Sequence, residues 1–299
     1  MTITLPVNDY EHFSFAESLQ FLNRSPRECL HQVRNGAVYK LLAPEGAPVL
    51  LRISEDPDQQ ALVAEVLNGE TDGNGEAYIK NYLNRWLHLG GSMAPFYGFA
   101  AADALLGPLV NEFSGLRLVG IPDLFECITW TITGQQINLA FAYTMKQRLV
   151  QAFGHAVEWE GGTYHLYPHP AVIAVLQPEH LMPMQFSRTK AEGIIRVAQL
   201  MATGRLSEEM IMKMPYEQAR EALVSIKGIG PWSANYVLMK FAQHPQALPL
   251  EDAGLHNALR RRLGLPAKPA MNEVKELTAH WQNHAAYATF YCWRSLYAR

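Results

Sequence analysis

From Pro95 onward this 299-residue chain carries almost no strand pattern, and that constrains its fold most. Apolar residues recur at helical spacing through Phe125 to Gly134, Leu139 to Phe153 and Arg188 to Ala202. The same spacing continues through Tyr216 to Ile226, Ser233 to Gln243 and Val274 to Leu296. Short Gly/Pro breaks separate these stretches, and Pro122-Asp123 offers a carboxylate at the start of the first. Such a region must close its core by packing helix on helix. Ahead of it the signals are mixed. Val38 to Leu42 and Val49 to Ile53 flank Ala43-Pro-Glu-Gly-Ala-Pro48, which predicts a β-hairpin. Phe13 to Asn23 and Glu76 to Leu89 have helical spacing, the second following the polar loop Gly69 to Gly75 and carrying Tyr78, Tyr82, Leu83, Trp86 and Leu87 on one face. Trp159 to Tyr167 suits a small hairpin. The expectation is a mostly α protein with an N-terminal α+β domain over 1–110 and a helical region over 111–299.

Composition narrows the function classes. With 48% apolar and 18% charged residues the chain can bury a sizeable core. It has no run of eighteen apolar residues, so no membrane span is expected. Met1 to Tyr10 lacks the basic and apolar regions of a signal peptide. Cys29, Cys127 and Cys292 are odd in number and lack CxxC spacing, which fits a cytoplasmic protein and excludes a cysteine-ligated zinc or iron–sulfur site within the chain. The net charge of −3 counts mildly against nucleic acid. Arg260, Arg261 and Arg262, with Lys268 and Lys275, could still form a local basic face, although charge alone favours a solvated helix end. His280 and His284 stand four apart without a third ligand, so no metal site is expected.

The segment with most chemical content runs from Leu223 to Leu265. It places Lys227-Gly-Ile-Gly-Pro-Trp232 between two apolar helices, a helix-hairpin-helix over 216–243. Glycine tolerates positive φ and lets another backbone approach. Amides of Gly228, Ile229, Gly230 and Ser233 at a helix start suit a phosphate, with the Ile229 side chain plugging the hairpin into the core. By spacing alone, an ordinary helix–turn–helix with glycine caps fits better. The full string Leu-x-x-Ile-Lys-Gly-Ile-Gly-Pro-Trp-Ser-Ala-Asn-Tyr, followed by Pro249-Leu-Glu-Asp252, resembles the helix-hairpin-helix–Gly/Pro-Asp superfamily of base-excision DNA glycosylases. Gly115-Leu-Arg-Leu-Val-Gly120, Phe125-Glu126, Ile132-Thr-Gly-Gln-Gln-Ile137, Arg188-Thr-Lys-Ala-Glu-Gly-Ile-Ile195 and Tyr287-Ala-Thr-Phe-Tyr-Cys-Trp293 are similar to its DNA-3-methyladenine glycosylase II branch. The likeness covers about residues 110–299 well and the N-terminal unit only loosely.

The resemblance implies two helical subdomains around a cleft, a TATA-binding-protein-like N-terminal sheet, and hydrolysis of the N-glycosidic bond of alkylated purines such as 3-methyladenine. Asp252 matches the family's catalytic aspartate, which stabilises an oxocarbenium-like sugar and directs water. Its neighbour Glu251 is the rival, and an Asp ahead of Ala253-Gly-Leu is also an ordinary helix N-cap. Trp232 stands where relatives that cut the backbone carry a Schiff-base lysine, so no lyase activity is expected. Trp232 and Tyr236 share a helix face and, with Trp281, His284 and Tyr287, are expected to line the base pocket; core packing is the alternative for each ring. Gln136, or Gln135, at an expected helix start is the wedge candidate, with plain surface amides as the alternative. The expected partner is double-stranded DNA and the expected state a monomer. No cofactor is expected beyond a monovalent cation on hairpin carbonyls. A non-catalytic damage-sensing protein, or a glycosylase for oxidised or deaminated bases, remains open at this point.

Overall fold

The computed structural model describes residues 1–297. Its N-terminal unit is built on five antiparallel strands: β1 (Thr2–Pro6), β2 (His31–Arg34), β3 (Ala37–Leu42), β4 (Val49–Asp56) and β5 (Ala61–Asn68). Their order is β1-β5-β4-β3-β2. The predicted hairpin is present, with Leu42 opposite Val49. Alternation sorts the side chains. Ile3, Leu5, Val38, Leu42, Val49, Leu51, Ile53 and Leu62 face the main core, while Ala37, Tyr39, Leu41 and Leu50 face the other way. That second face is covered by the predicted small hairpin, β6 (Ala156–Trp159) and β7 (Gly162–His165), through Tyr164. β1, β2 and β5 were not anticipated. β1 pairs with a strand some sixty residues away, Thr2 opposite Glu65, and such non-local pairing leaves little trace in a short segment.

Helices fill the rest. The N-terminal unit carries α1 (Phe15–Leu22) and α2 (Gly73–Leu87), capped by Ser14 and Asp72. Next come α3 (Ala94–Ala101), α4 (Leu106–Glu112), α5 (Leu124–Gly134) and α6 (Leu139–Phe153). The series continues with α7 (Pro170–Ala174), α8 (Pro178–Leu181), α9 (Arg188–Ala202) and α10 (Glu208–Lys213). It ends with α11 (Tyr216–Val224), α12 (Pro231–Lys240), α13 (Ala253–Arg262), α14 (Met271–Thr278) and α15 (Ala285–Arg294). Asp123 caps α5 as expected, accepting from the Glu126 N–H at 2.7 Å. The apolar α5 packs against α6, α9 and α12, while α15 packs against α13 and α4. Among the described residues no helix is long and apolar enough to cross a membrane.

Two expectations need correction. A boundary at 110 falls inside α4, and α4 packs on the C-terminal α15. The helix expected over Val274 to Leu296 is two helices, α14 and α15, broken where Gln282 takes φ 41°.

Buried charge joins the two regions. The Lys146 ammonium on α6 lies 3.0 Å from Glu126 on α5 and 3.2 Å from Glu28 of the N-terminal unit. Burial opposes ionisation of Glu28, but the charges of Lys146, His31 and Arg24 and the Leu30 N–H together outweigh it and hold the carboxyl well below its ordinary range. Arg117, fully buried, donates to the carbonyls of His12, His88, Gly91, Asn8 and Asp9 at 2.6–3.1 Å. It thereby pins the segment after α4 to the chain's first turn and the end of α2.

Candidate active site at the hairpin and the start of α13

Asp252 takes extended backbone angles at the N-cap of α13, and its Oδ1 accepts from the Leu255 N–H at 2.7 Å. The same carboxylate accepts two indole N–H groups: Trp293 donates to Oδ1 at 2.7 Å and Trp232 to Oδ2 at 3.1 Å. Capping and site chemistry are therefore combined in one side chain. Asp252 is half-buried, whereas Glu251 is exposed. Adjacent residues at a helix start point apart, so only Asp252 joins the aromatic set. Gly254 makes room for it: a Cβ there would lie 2.9 Å from Oδ1 and 3.1 Å from the Trp293 ring.

The rings continue inward from the carboxylate. Trp232 and Tyr236 pack with centroids 5.7 Å apart, and Tyr236 packs on Trp293, also at 5.7 Å. Trp130 of α5 donates its indole N–H to the Tyr236 hydroxyl at 3.0 Å. Burial pushes the Tyr236 hydroxyl far up, so it stays neutral. Trp293 ends the Tyr287–Trp293 string that resembles the family, but the sequence does not single it out as a site residue. The chain has six tryptophans, and nothing local marks this one; only the packing of α15 against α13 selects it.

Three predicted pocket residues are placed elsewhere. Trp281 is fully buried between α14 and α15, its indole N–H without a partner. His284 stacks on Phe99 of α3 at 4.5 Å. Tyr287 stacks on His88 at 5.5 Å, shares a short hydrogen bond with it and packs on Phe96. On α15 the six-residue step from Tyr287 to Trp293 turns the side chain by about 120°, which sends the two rings to different neighbours. These three residues wall the contact with α3, away from Asp252.

The hairpin forms as the glycine spacing implies. Gly228 has φ +104° and Gly230 caps α12, with Pro231 as the first helical residue. Ile229 is 4% exposed and plugs into the core. Its N–H, however, donates to the Ile226 carbonyl at 3.0 Å, so the phosphate role expected for that amide does not hold. Among the described residues the Gly228 and Gly230 N–H groups have no acceptor. Nothing lies within 4 Å of a Cβ built on Gly230, so the hairpin mouth is open. The Ser233 side chain is buried, leaving only its first-turn amide for an anion.

Gln135 and Gln136 lie in the link between α5 and α6 rather than at a helix start. The Gln135 amide donates to the Gly228 carbonyl at 3.0 Å, and its own carbonyl accepts from Lys190 at 2.8 Å. Gln136 is exposed and left-handed, φ 56°, so its side chain projects freely beside the hairpin. The Lys227 and Gly228 carbonyls carry protein donors, Arg196 at 3.1 Å and Gln135 at 3.0 Å.

A family model, the HhH-GPD superfamily of base excision DNA repair proteins, matches residues 129–283. The chain belongs to this superfamily. It is 40% identical to the DNA-3-methyladenine glycosylase of Bacillus subtilis, over 99% of this chain and 97% of that protein. DNA-3-methyladenine glycosylase 2 of Escherichia coli is 27% identical over 64% of each chain. Among solved structures, the 3-methyladenine DNA-glycosylase of Archaeoglobus fulgidus superposes with a TM-score of 0.82 and 24% identity, covering 98% and 97% of the two chains. The Clostridium acetobutylicum 8-oxoguanine glycosylase/lyase bound to double-stranded DNA gives 0.74 and 16% identity, covering 95% and 92%. The likeness therefore extends over the N-terminal sheet as well, beyond the 110–299 region that the motifs match well. Within it, the hairpin and Asp252 stand side by side through the Trp232 bridge.

Proposed function

We propose that the protein is a monofunctional DNA N-glycosylase of base-excision repair, hydrolysing the N-glycosidic bond of alkylated purines of the 3-methyladenine type. It is read as a cytoplasmic monomer acting on double-stranded DNA. One observation carries this reading: a half-buried carboxylate, oriented by two indole N–H groups, next to a hairpin with free amides. The name of the Bacillus relative supports the substrate class.

Hydrolysis at a sugar–base bond passes through a cationic sugar, which a fixed carboxylate stabilises without reorganising. The three donors on Asp252 hold it in one orientation, so that it faces the sugar and directs the attacking water. Gly228 and Gly230 amides bind phosphate and set the register of the strand. Gln136 fills the gap left by the extruded base. Trp232, with Tyr236 and Trp293, supplies an electron-rich wall for a positively charged alkylpurine, worth about 0.5–2 kcal/mol by cation–π attraction. Such a base is already a good leaving group. The monofunctional reading is supported by three residues among those described: Trp232 stands at the position of the Schiff-base lysine, Lys190 is tied to the Thr133 and Gln135 carbonyls at 2.8 Å, and Lys240 is buried against Val119.

Asp252→Asn keeps the cap and one acceptor oxygen but removes the charge. Release of 3-methyladenine from methylated duplex DNA should fall at least about a hundredfold, while binding to an abasic-analogue duplex persists. Borohydride should trap no protein–DNA adduct with the native protein. Normal turnover by the Asn variant, or an efficient borohydride adduct, would sink the respective half of the proposal.

A further inference from the structure

The link between α5 and α6 exposes one side chain and ties down the residues on either side of it. Gln136 is exposed at φ 56°. After it, Ile137 packs against the main core. Before it, Gln135 is partly buried and reaches across to the hairpin, its Nε2 lying 3.0 Å from the Gly228 carbonyl and 3.4 Å from the Ser233 hydroxyl. The Gln135 carbonyl accepts from the Lys190 ammonium, which also bonds the Thr133 carbonyl, both at 2.8 Å. A cation is well placed there, because the last carbonyls of a helix lack partners and carry partial negative charge.

The helix that holds the link also holds the hairpin. Six residues beyond Lys190 on α9, the Arg196 guanidinium donates to the Lys227 carbonyl at 3.1 Å. Between the two, Gly193 lets hairpin and helix approach: a Cβ built on Gly228 would lie 3.9 Å from the Gly193 Cα. Link, hairpin and α9 therefore form a triangle. Lys190 and Arg196 make two of its sides, and the Gln135 amide makes the third.

We propose that Gln135 is a positioning residue that sets the Gln136 side chain against the phosphate-binding hairpin, with Lys190 fixing the backbone from which it reaches. This deepens the glycosylase reading above and rests on its assignment of Gln136. A strand gripped at Gly228 and Gly230 has a fixed register, so a side chain entering the duplex must arrive at one step of the stack. Extruding a base costs pairing and stacking. A wedge already held in place loses less conformational freedom on entry than one on a loose turn. Gln135 acts through Gln136, its own amide being spent on the hairpin.

Gln135→Ala removes the cross-brace and leaves the Gly228 and Gly230 amides in place. The probe is a duplex with a tetrahydrofuran abasic analogue beside 2-aminopurine, whose fluorescence rises when a wedge unstacks it. That rise should be weaker in Gln135→Ala. Single-turnover release of 3-methyladenine from methylated duplex should fall about threefold to tenfold, the size of one lost neutral hydrogen bond. Affinity for undamaged duplex, set by phosphate contacts, should stay within about twofold. Lys190→Met should show the same pair of losses, and Lys190→Arg should restore most of both. Gln136→Ala should abolish the rise and slow release, and adding Gln135→Ala to it should slow release no further, since a brace has no effect once the part it positions is gone. Additive losses in the double variant, a native rise in Gln135→Ala, or an equal loss of affinity for undamaged duplex would each overturn the role. Native protein that releases base without any rise overturns the brace and leaves the glycosylase reading intact. Native protein that gives the rise but releases no base overturns the glycosylase reading instead, and the fluorescence of Gln135→Ala then decides the brace by itself.

Discussion

The hairpin and the seam between sheet and helices handle polar groups in opposite ways. At the seam, Lys146 holds two carboxylates and Arg117 holds five carbonyls. At the hairpin, the Gly228 and Gly230 amides and the Gln136 side chain face open space. A buried charge must be satisfied internally because water cannot reach it, whereas donors meant for a strand must be left free. The difference separates what holds the molecule together from what it presents to DNA.

The contrast can be broken most severely at the seam. Lys146→Met strands two buried carboxylates and should cost about 3–5 kcal/mol, read as a lower thermal unfolding midpoint. A loss below about 1 kcal/mol would mean that the network is solvated and the contrast false. The hairpin glycines sharpen the other half. Gly228→Ala forces a side chain into φ +104° and should cost about 1–3 kcal/mol of stability as well as weakening DNA binding. Gly230→Ala meets open space at φ −92°, so stability should change by under about 1 kcal/mol while affinity for an abasic-analogue duplex still falls. Identical stability losses in the two variants would show that φ is not what Gly228 supplies.

The smallest expected effect is on pH. Burial holds the His31 and His88 imidazoles down at about 4, with the Arg117 charge assisting at His88. Their folded values lie below the unfolded one, so their contribution is complete above about 6.5 and is lost as pH falls toward 4. Burial raises Asp123 to about 7, which works the other way and adds stability over the same fall. Asp123→Asn should therefore steepen the acid loss by a few degrees in unfolding midpoint, and His31→Phe should flatten it. Unchanged pH profiles in both variants would refute the buried titrations, while DNA affinity at the hairpin should not follow them.

Local grammar carried much of this structure. The β3–β4 hairpin, the Asp123 cap and the glycine turn before α12 each depend on residues a few positions apart, and each is readable in the chain. Asp252 was legible because a whole string of residue types surrounded it. The strand β1 was not, since its partner β5 lies some sixty residues away.

What the sequence alone determined is a helical protein with a hairpin and one aspartate placed after it. What only tertiary structure decided is which rings and charges surround that aspartate. Trp293 reaches it from 41 positions away, while Trp281 and Tyr287, equally plausible by type, turn to other neighbours. Periodicity fixes which face of a helix is buried, but the partner across that face is chosen by how distant helices pack.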